Sequence, residues 1–505
     1  MTPPTCHIIR SRAIGASLAL VALVPAFTGA QRTRTVAQGT RTVALDRAAI
    51  PTAGKTPELH VPTWSKLSLA NGASLVVSER HGLPLVYVSV NFVGGGAQFE
   101  PTDKTGLANF VASMMLEGTS TRTGDQLSED MQNLGSNVNI FIGPENGSMS
   151  VFVMKDKVEP MLGILEDVLV NPSFPDEALE RLRGRTLINL QQQRDRTAGI
   201  AAVVFPKVLY TTDEAYGRSM TEASAKAITR SDLVTFHDEY FEPGRAEITV
   251  VGDIAPADAK RMLDKALADW PAGGSKPSFD YPTPPAPKAT TIYLVDKPGA
   301  AQSTFAIGEV GPPRSTPDYY ALRVLNSFFG ELFQSRLNAN IREQKGYSYG
   351  VSSRFAYGRG PGAFRAGGEI VTAKSDSALI EFMKELKGIR GDRPITDDEM
   401  QAAKNALIQS LPERFASVRG VSSSVSEIYA QDLPEDYYQS FATRVNAVTK
   451  DEVLRAAQKY IDPDHLAIVI VGDKAKIDGP LAATKIAPIV YLDVNGDPVG
   501  AKVTP

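Results

Sequence analysis

The sequence predicts an α+β protein built from two homologous domains in tandem. The first observation behind this is an internal repeat. Ile228-Thr-Arg-Ser-Asp-Leu leads through Tyr240-Phe-Glu-Pro243 to the apolar run ending at Gly252-Asp253, and Val448-Thr-Lys-Asp-Glu-Val leads through Tyr460-Ile-Asp-Pro463 to the apolar run ending at Gly472-Asp473. Each copy reads as a capped helix, a proline break and a buried strand, at a constant offset of 220 residues (252 to 472). The second observation is what separates the copies. Residues 271–290 contain six prolines and the pair Gly273-Gly274, which can form neither a helix nor a central strand and so read as a semi-rigid linker. The third is size: 505 residues, 43% hydrophobic and 22% charged, supply more than one core in a chain of ordinary globular composition.

The elements follow in order. Arg10 and Arg12 precede an apolar run from Ala13 to Val24, then Pro25 and the small residues Thr28-Gly29-Ala30, so residues 1–30 are expected to be a cleaved export signal. That run is too short to span a bilayer comfortably as a permanent helix; an uncleaved anchor is the weaker reading, because no second apolar segment of spanning length follows. Cys6, the only cysteine, lies before the run and cannot be a lipobox cysteine; the mature chain is then cysteine-free and periplasmic. Residues 31–63, rich in Thr, Arg and Ala without periodicity, read as a mobile arm. The first domain is expected over 64–270. It opens with a hairpin around Asn71-Gly72, for which the dipeptide suggests a type I′ turn, followed by a strand over Val86–Val93 and a helix between Gly106 and Thr119. Asn137-Val138-Asn139-Ile140-Phe141-Ile142 alternates like an edge strand. The second domain is expected over 291–477. The tail, 478–505, carries one apolar run, Ile489–Val494, suited to a further edge strand.

The composition excludes some functions. With 53 basic and 57 acidic residues the formal charge is −4, and no Lys/Arg-rich block marks a nucleic-acid surface. The five histidines, His7, His60, His81, His237 and His465, are not spaced for a shared metal site, and His237 reads as a helix-surface residue. No histidine is placed to serve a nucleophile, which argues against a self-sufficient hydrolase of another chemistry.

Residues 106–119 read GLANFVASMMLEGT. Gly106, Leu107, Ala108, Phe110, Met114, Gly118 and Thr119 resemble the pitrilysin/insulinase family of zinc metallopeptidases (inverzincins), whose H-x-x-E-H helix has this framing. The resemblance implies two domains, each an antiparallel sheet backed by helices, forming a clam-shell half-chamber. In an H-x-x-E-H helix two histidines four residues apart share a face and bind zinc while the glutamate activates water. Here those places hold Asn109, Ala112 and Ser113, and the family's third ligand, a glutamate on a later helix, corresponds to Asn189 in Leu187-Ile188-Asn189-Leu190. Amide, methyl and hydroxyl groups do not replace imidazole and carboxylate as zinc ligands, so no metal or other cofactor is expected in this chain.

A second constellation lies in the other half. Arg336-Leu-Asn338 and Ile341-Arg342-Glu-Gln-Lys-Gly346-Tyr347-Ser-Tyr349-Gly350 suggest a helix ending at a left-handed Gly346, with a strand starting at Tyr347. In the family, an arginine and a tyrosine seven residues later, on the half without the zinc helix, reach into the active site of the other half; Arg342 and Tyr349 have that spacing. A phenol and a guanidinium suit the oxyanion that develops in peptide hydrolysis. A helix-end ion pair for Arg342 and a core position for Tyr349 is the other reading, with Tyr347 as the competing tyrosine. By the same resemblance, the edge strand with Asn137, Val138, Asn139 and Ile140 would pair with substrate backbone; an ordinary sheet strand is the alternative. Gly362-Ala-Phe-Arg-Ala-Gly367-Gly368 would allow either a peptide or a bulge.

Together these imply a non-catalytic subunit of a heterodimeric periplasmic peptidase, in which a homologous H-x-x-E-H subunit holds zinc and this chain supplies Arg342, Tyr349 and half of a peptide-admitting chamber. The rival is a non-enzymatic peptide-binding or scaffold protein of the cell envelope.

Overall fold

The computed structural model describes residues 59–499, apart from 212–213, 280, 282–283 and 285–286. The expected export signal, most of the arm and the end of the tail lie outside these residues. Two six-stranded sheets organise the rest. The first contains β1 (Ser65–Ser68), β2 (Ser74–Glu79), β3 (Leu85–Val93), β4 (Val138–Ile142), β5 (Asn146–Met154) and β6 (Ala246–Gly252), in the order β1-β2-β6-β3-β5-β4. The second contains β7 (Thr291–Asp296), β8 (Gln302–Val310), β9 (Val351–Phe355), β10 (Ala363–Val371), β11 (Ala467–Gly472) and β12 (Ile489–Leu492), in the order β12-β7-β11-β8-β10-β9.

These orders are the same path traced twice. The repeat strands β6 and β11 sit third in each sheet, parallel to β2 and β7 on one side and antiparallel to β3 and β8 on the other. The sheets differ at one edge. The hairpin strand β1 completes the first, while the tail strand β12, expected from its apolar run, joins the second parallel to β7. The β1–β2 turn differs from the type I′ expectation: Leu69 and Ala73 close a three-residue loop in which Gly72 alone takes a positive φ, 92°, a type I turn followed by a left-handed glycine.

The helices repeat as well. The first half carries α1 (Leu107–Met114), α2 (Gly124–Asn133), α3 (Val158–Val170), α4 (Asp176–Gln193), α5 (Thr197–Tyr210), α6 (Glu222–Ala227), α7 (Arg230–Tyr240) and α8 (Pro256–Ala266). The second carries α9 (Tyr319–Asn326), α10 (Ser375–Gly388), α11 (Asp397–Gln409), α12 (Leu411–Arg414), α13 (Val418–Ala430), α14 (Tyr437–Ala447), α15 (Lys450–Tyr460) and α16 (Lys474–Ala483). The repeat helices α7 and α15 begin with the same device, a threonine whose hydroxyl accepts from the N3 backbone while the N3 carboxylate reaches back: Thr229 with Asp232, Thr449 with Glu452.

One face of each sheet buries its apolar side chains against its own helices. In β3, Val86, Val88, Val90 and Phe92 enter the first core, together with Phe110 and Met114 of α1. The opposite faces are covered by exchanged helices. Helix α5, from the first half, packs Ile200, Val204, Phe205 and Leu209 on Ala306, Val469 and Val471 of the second sheet. Helix α13, from the second half, lies across β3 and β6 of the first sheet. The two contacts are chemically unlike: the first is apolar, the second borders a cavity of about 330 Å³ lined by Ser89, Asn91, Ser148, Ser422 and Ser426.

Candidate functional site

Helix α1 shows why the framing residues fit a family pattern while the chemistry between them is missing. Leu107, Ala108, Phe110, Val111 and Met114 are buried in the first core, so their identities are set by packing. Asn109 and Ser113 point out of the core on one face, four residues apart, and Ala112 is buried beside them. The helix starts at Gly106, whose φ of 105° calls for glycine. Its first N–H groups are met from outside: the carboxylate of Glu100 accepts from Gly106 at 2.7 Å and from Ala108 at 2.8 Å. Burial pushes the Glu100 carboxyl up to about 7 against the opposing effect of those two donors and of Arg218. Sequence reasoning missed Glu100; a glutamate six residues ahead of the helix-opening glycine is its only mark.

Helix α4 packs against α1. Arg181 and Arg185, one turn apart, reach Glu117 beyond the end of α1 at 3.0 and 3.4 Å. Asn189, exposed, occupies the next turn of that same face of α4. The donor set at these places is two amides and a hydroxyl, without the imidazole, thiolate or carboxylate ligands of a zinc site, so these residues do not fit zinc. Among the described residues no group of three or more His, Cys, Asp or Glu is placed to hold a metal ion. His237 corrects the sequence reading. It is buried on α7, with Nε2 at 2.8 Å from the Leu169 carbonyl and its ring stacked on Phe241, because the i+4 aromatic and the neighbouring α3 terminus enclose it.

Strand β4 is the outer strand of the first sheet and lies beside α1. Val138 and Ile140 face the core, Asn139 and Phe141 face outward, and Phe141 is 67% exposed. Asn137 precedes the strand and is exposed. The edge-strand expectation therefore holds from Val138 onward. The glycines of β10 have another cause: a Cβ at Gly367 would meet the Phe305 carbonyl oxygen at 2.0 Å, and one at Gly368 the Gly350 oxygen at 2.7 Å. The space they leave is filled by neighbouring strands, not offered to a peptide.

In the second half, Asn338–Gln344 forms a wide π-helical segment that ends at Gly346, φ 65°, as the sequence suggests. The strand does not begin at Tyr347; β9 starts at Val351, because Ser348 accepts from the Gly350 N–H and donates to the Glu369 carbonyl at 2.6 Å, and the Asn338 side chain accepts from the Val351 N–H, holding 347–350 as a loop. This pinning separates the two tyrosines. Tyr347 packs on the second core, whereas Tyr349 is 94% exposed. Arg342 is half-buried with its guanidinium 3.7 Å over the ring of Phe333, itself 66% exposed. Arg336 and Asn338 are structural: Arg336 binds Glu399 with two nitrogens and the Pro394 carbonyl at 2.8 Å. Among the described residues no hydrogen bond or ion pair links Arg342 or Tyr349 to Asn109, Ser113 or Asn189.

Residues 75–220 match the family profile described as insulinase (peptidase family M16), and residues 227–407 match the one described as peptidase M16 inactive domain. The chain belongs to the M16 peptidase family. An uncharacterized zinc protease of Rickettsia felis is 24% identical over 403 residues, covering 77% of this chain and 93% of that one. The non-peptidase homolog YmxG of Helicobacter pylori is 21% identical over 406 residues, covering 80% and 92%. The crystal structure of a peptidase M16 inactive domain from Pseudomonas fluorescens superposes with a TM-score of 0.75 at 24% identity, covering 81% of this chain and 98% of that one, which establishes the shared fold. The framing residues within α1, Leu107, Ala108, Phe110 and Met114, all face the core.

Proposed function

We propose that this M16 chain is the non-catalytic subunit of an exported, heterodimeric zinc peptidase. A homologous partner with an intact H-x-x-E-H helix would hold the zinc, and this chain would contribute Arg342, Tyr349 and one half of the chamber. The observation that carries the reading is the opposite state of the two constellations. The helix that would hold metal presents Asn109 and Ser113, while Tyr349 stands 94% exposed on a loop whose other residues are pinned. Fixing a loop costs conformational entropy, and a phenol presented to solvent from that fixed backbone suits use by a second molecule: its hydroxyl can stabilise the oxyanion that forms when a peptide carbonyl is attacked. Arg342, held by Phe333, supplies a permanent forked donor for substrate carbonyls. The outer edge of β4, beside α1, would pair with extended peptide.

Support also comes from the relative named a non-peptidase homolog, which stands in the same family without peptidase function. Among the described residues no helix is long and apolar enough to cross a membrane; export to the periplasm rests on the amino-terminal sequence.

The test is reconstitution. The chain is purified alone and together with an H-x-x-E-H homologue from the same cells, with zinc content and peptide hydrolysis measured for each. Hydrolysis only by the pair, reduced roughly tenfold or more by Tyr349→Phe, is the expected result. Unchanged turnover with the partner still bound would favour the scaffold reading; hydrolysis by the isolated chain would overturn both.

A further inference from the structure

We infer that the second half contains a binding site for a small organic anion, in a cavity of about 560 Å³ between α9, α12, α13 and α14, with Arg314 and Arg323 as its anion-binding groups. The inference stands apart from the proposed subunit role and does not depend on it.

Arg314 carries the argument. It is 8% exposed, follows β8, and is anchored by its backbone N–H to the Gly358 carbonyl at 2.8 Å. Its guanidinium lies 3.4 Å over the ring of Tyr319 and 5.1 Å from that of Tyr437. Among the described residues it forms no ion pair, and its Nη2 is buried without a hydrogen-bond partner. A buried guanidinium without an anion is costly, and two aromatic faces offset only part of that cost.

The other charges around the cavity are already engaged. Glu427 accepts from Arg414 and from the Tyr438 hydroxyl, both at 2.8 Å. Glu331 lies 3.5 Å from Arg323 and also accepts from Asn326 at 3.1 Å. Three guanidinium groups and two carboxylates leave one positive charge uncompensated, and it resides on Arg314. Arg323 adds a buried Nε without a partner, and Tyr357 a buried hydroxyl without one. Three donors from separate segments thus line one space; the one unpartnered acceptor beside them, the Gln431 Oε1, is neutral and leaves the positive charge of Arg314 unmatched.

The chemistry selects the ligand. A guanidinium and a phenol present N–H and O–H donors to an oxyanion, either carboxylate or phosphate. The volume exceeds that of an inorganic ion and lies in the range of small-molecule sites. Tyr319, Tyr437, Leu407 and Phe441 supply a wall for an apolar or aromatic body.

The probes are N-acetylphenylalanine, its amide, and phenyl phosphate, added to the full chain and followed by calorimetry and thermal melting. Either anion is expected to bind and to raise the melting midpoint, with the amide inert; the anion that binds more tightly distinguishes carboxylate from phosphate. Arg314→Gln should weaken binding on the order of tenfold to a hundredfold, the loss of charge-assisted hydrogen bonds. Tyr357→Phe removes one hydroxyl without altering charge and should weaken binding by a smaller factor, which keeps the test decisive if Arg314→Gln does not fold. Absence of binding by both anions at millimolar concentration, equal binding of the amide, or undiminished binding by both variants would overturn the inference.

Discussion

The carboxylate of Glu145, in the turn between β4 and β5, accepts the backbone N–H of Arg359 at 2.9 Å from each of its oxygens, and Arg359 lies in the corresponding turn between β9 and β10. The two sheets are joined at equivalent places of a duplicated path. The Gly360 N–H also donates to Glu145, at 3.2 Å, and so does the Tyr216 hydroxyl. Glu145 is 7% exposed, so its loss leaves those donors buried and unmet. Glu145→Ala is expected to lower unfolding stability by about 2–4 kcal/mol, measured by urea denaturation, because unmet buried donors cost more than the bond contributed. Glu145→Gln, which keeps one acceptor oxygen, should lose less. A Glu145→Ala midpoint equal to the parent would show that the junction does not depend on this carboxylate.

The placement of Asn109, Ser113 and Asn189 makes a second prediction. If α4 presents Asn189 to the face that carries Asn109 and Ser113, then Asn109→His, Ser113→His and Asn189→Glu in one chain rebuild a three-ligand site. That variant is expected to retain one zinc per chain through gel filtration, by elemental analysis, while the parent retains none. The neighbouring pair of Arg181 and Arg185 is held by Glu117, which limits its repulsion of the ion. A triple variant without zinc would mean that α4 turns Asn189 elsewhere.

Tyr347 and Tyr349 separate structure from availability. Tyr347→Ala is expected to cost about 1–2 kcal/mol, for a side chain partly buried against the second core. Tyr349→Ala should fall within about 0.5 kcal/mol of the parent, as exposed substitutions do. Chemical denaturation of the two variants measures both. A large loss at Tyr349 would give that ring a packing role and remove the ground for its proposed use by a partner.

What the sequence disclosed and what it withheld follow from the range of the interactions involved. The capping pairs Thr229–Asp232 and Thr449–Glu452, and the strands after them, are local patterns, and they are present where the repeat puts them. The helix exchange is not legible, because the apolar residues of α5 look the same whether they cover their own sheet or the other one. His237 departs from its surface expectation for a related reason: the polar Asp238 and Glu239 after it resemble a surface, but its ring is enclosed by Phe174 and Phe241. The site divides in the same way. Asn109, Ser113 and the Arg342–Tyr349 spacing are visible in short motifs, while Glu100 and Arg314 acquire meaning only from partners that folding brings to them.

Buried carboxyls set an unusual pH dependence. Burial raises Glu100 to about 7 and both Glu247 and Glu309 to about 8, from an ordinary 4.5. The folded chain therefore binds more protons than the unfolded chain between about pH 4.5 and 8, so the contribution of these groups is fully present below that interval and is lost as pH rises through it. In the opposite sense, Asp232 and Asp432 are held below the ordinary aspartate value by their hydrogen bonds and by Lys104 and Arg359, so their contribution is lost toward acid. The melting midpoint is expected to be higher near pH 6 than near pH 9. Glu247→Gln should flatten the alkaline side of that profile, and a decline unchanged by it would assign the effect to other groups.

Gly199 and Gly420 mark the exchange in each half, and both resist substitution for one reason. Each stands in the first turn of its exchanged helix, α5 or α13, and a Cβ there would lie 2.2 Å from a backbone oxygen six residues earlier, that of Gln193 or Arg414. Neither oxygen belongs to a side chain that can swing away, so the helix start itself must shift. The consequences differ because the surfaces beneath differ. A displaced α5 disturbs an apolar contact made by Ile200 and Val204, and Gly199→Ala is expected to cost about 1–3 kcal/mol, the range for overpacking. A displaced α13 moves over the serine-lined face, where small polar groups tolerate adjustment, so Gly420→Ala should cost less. Urea denaturation of both variants gives the order directly; equal losses would show that the backbone collision, and not the packing beneath, sets the cost.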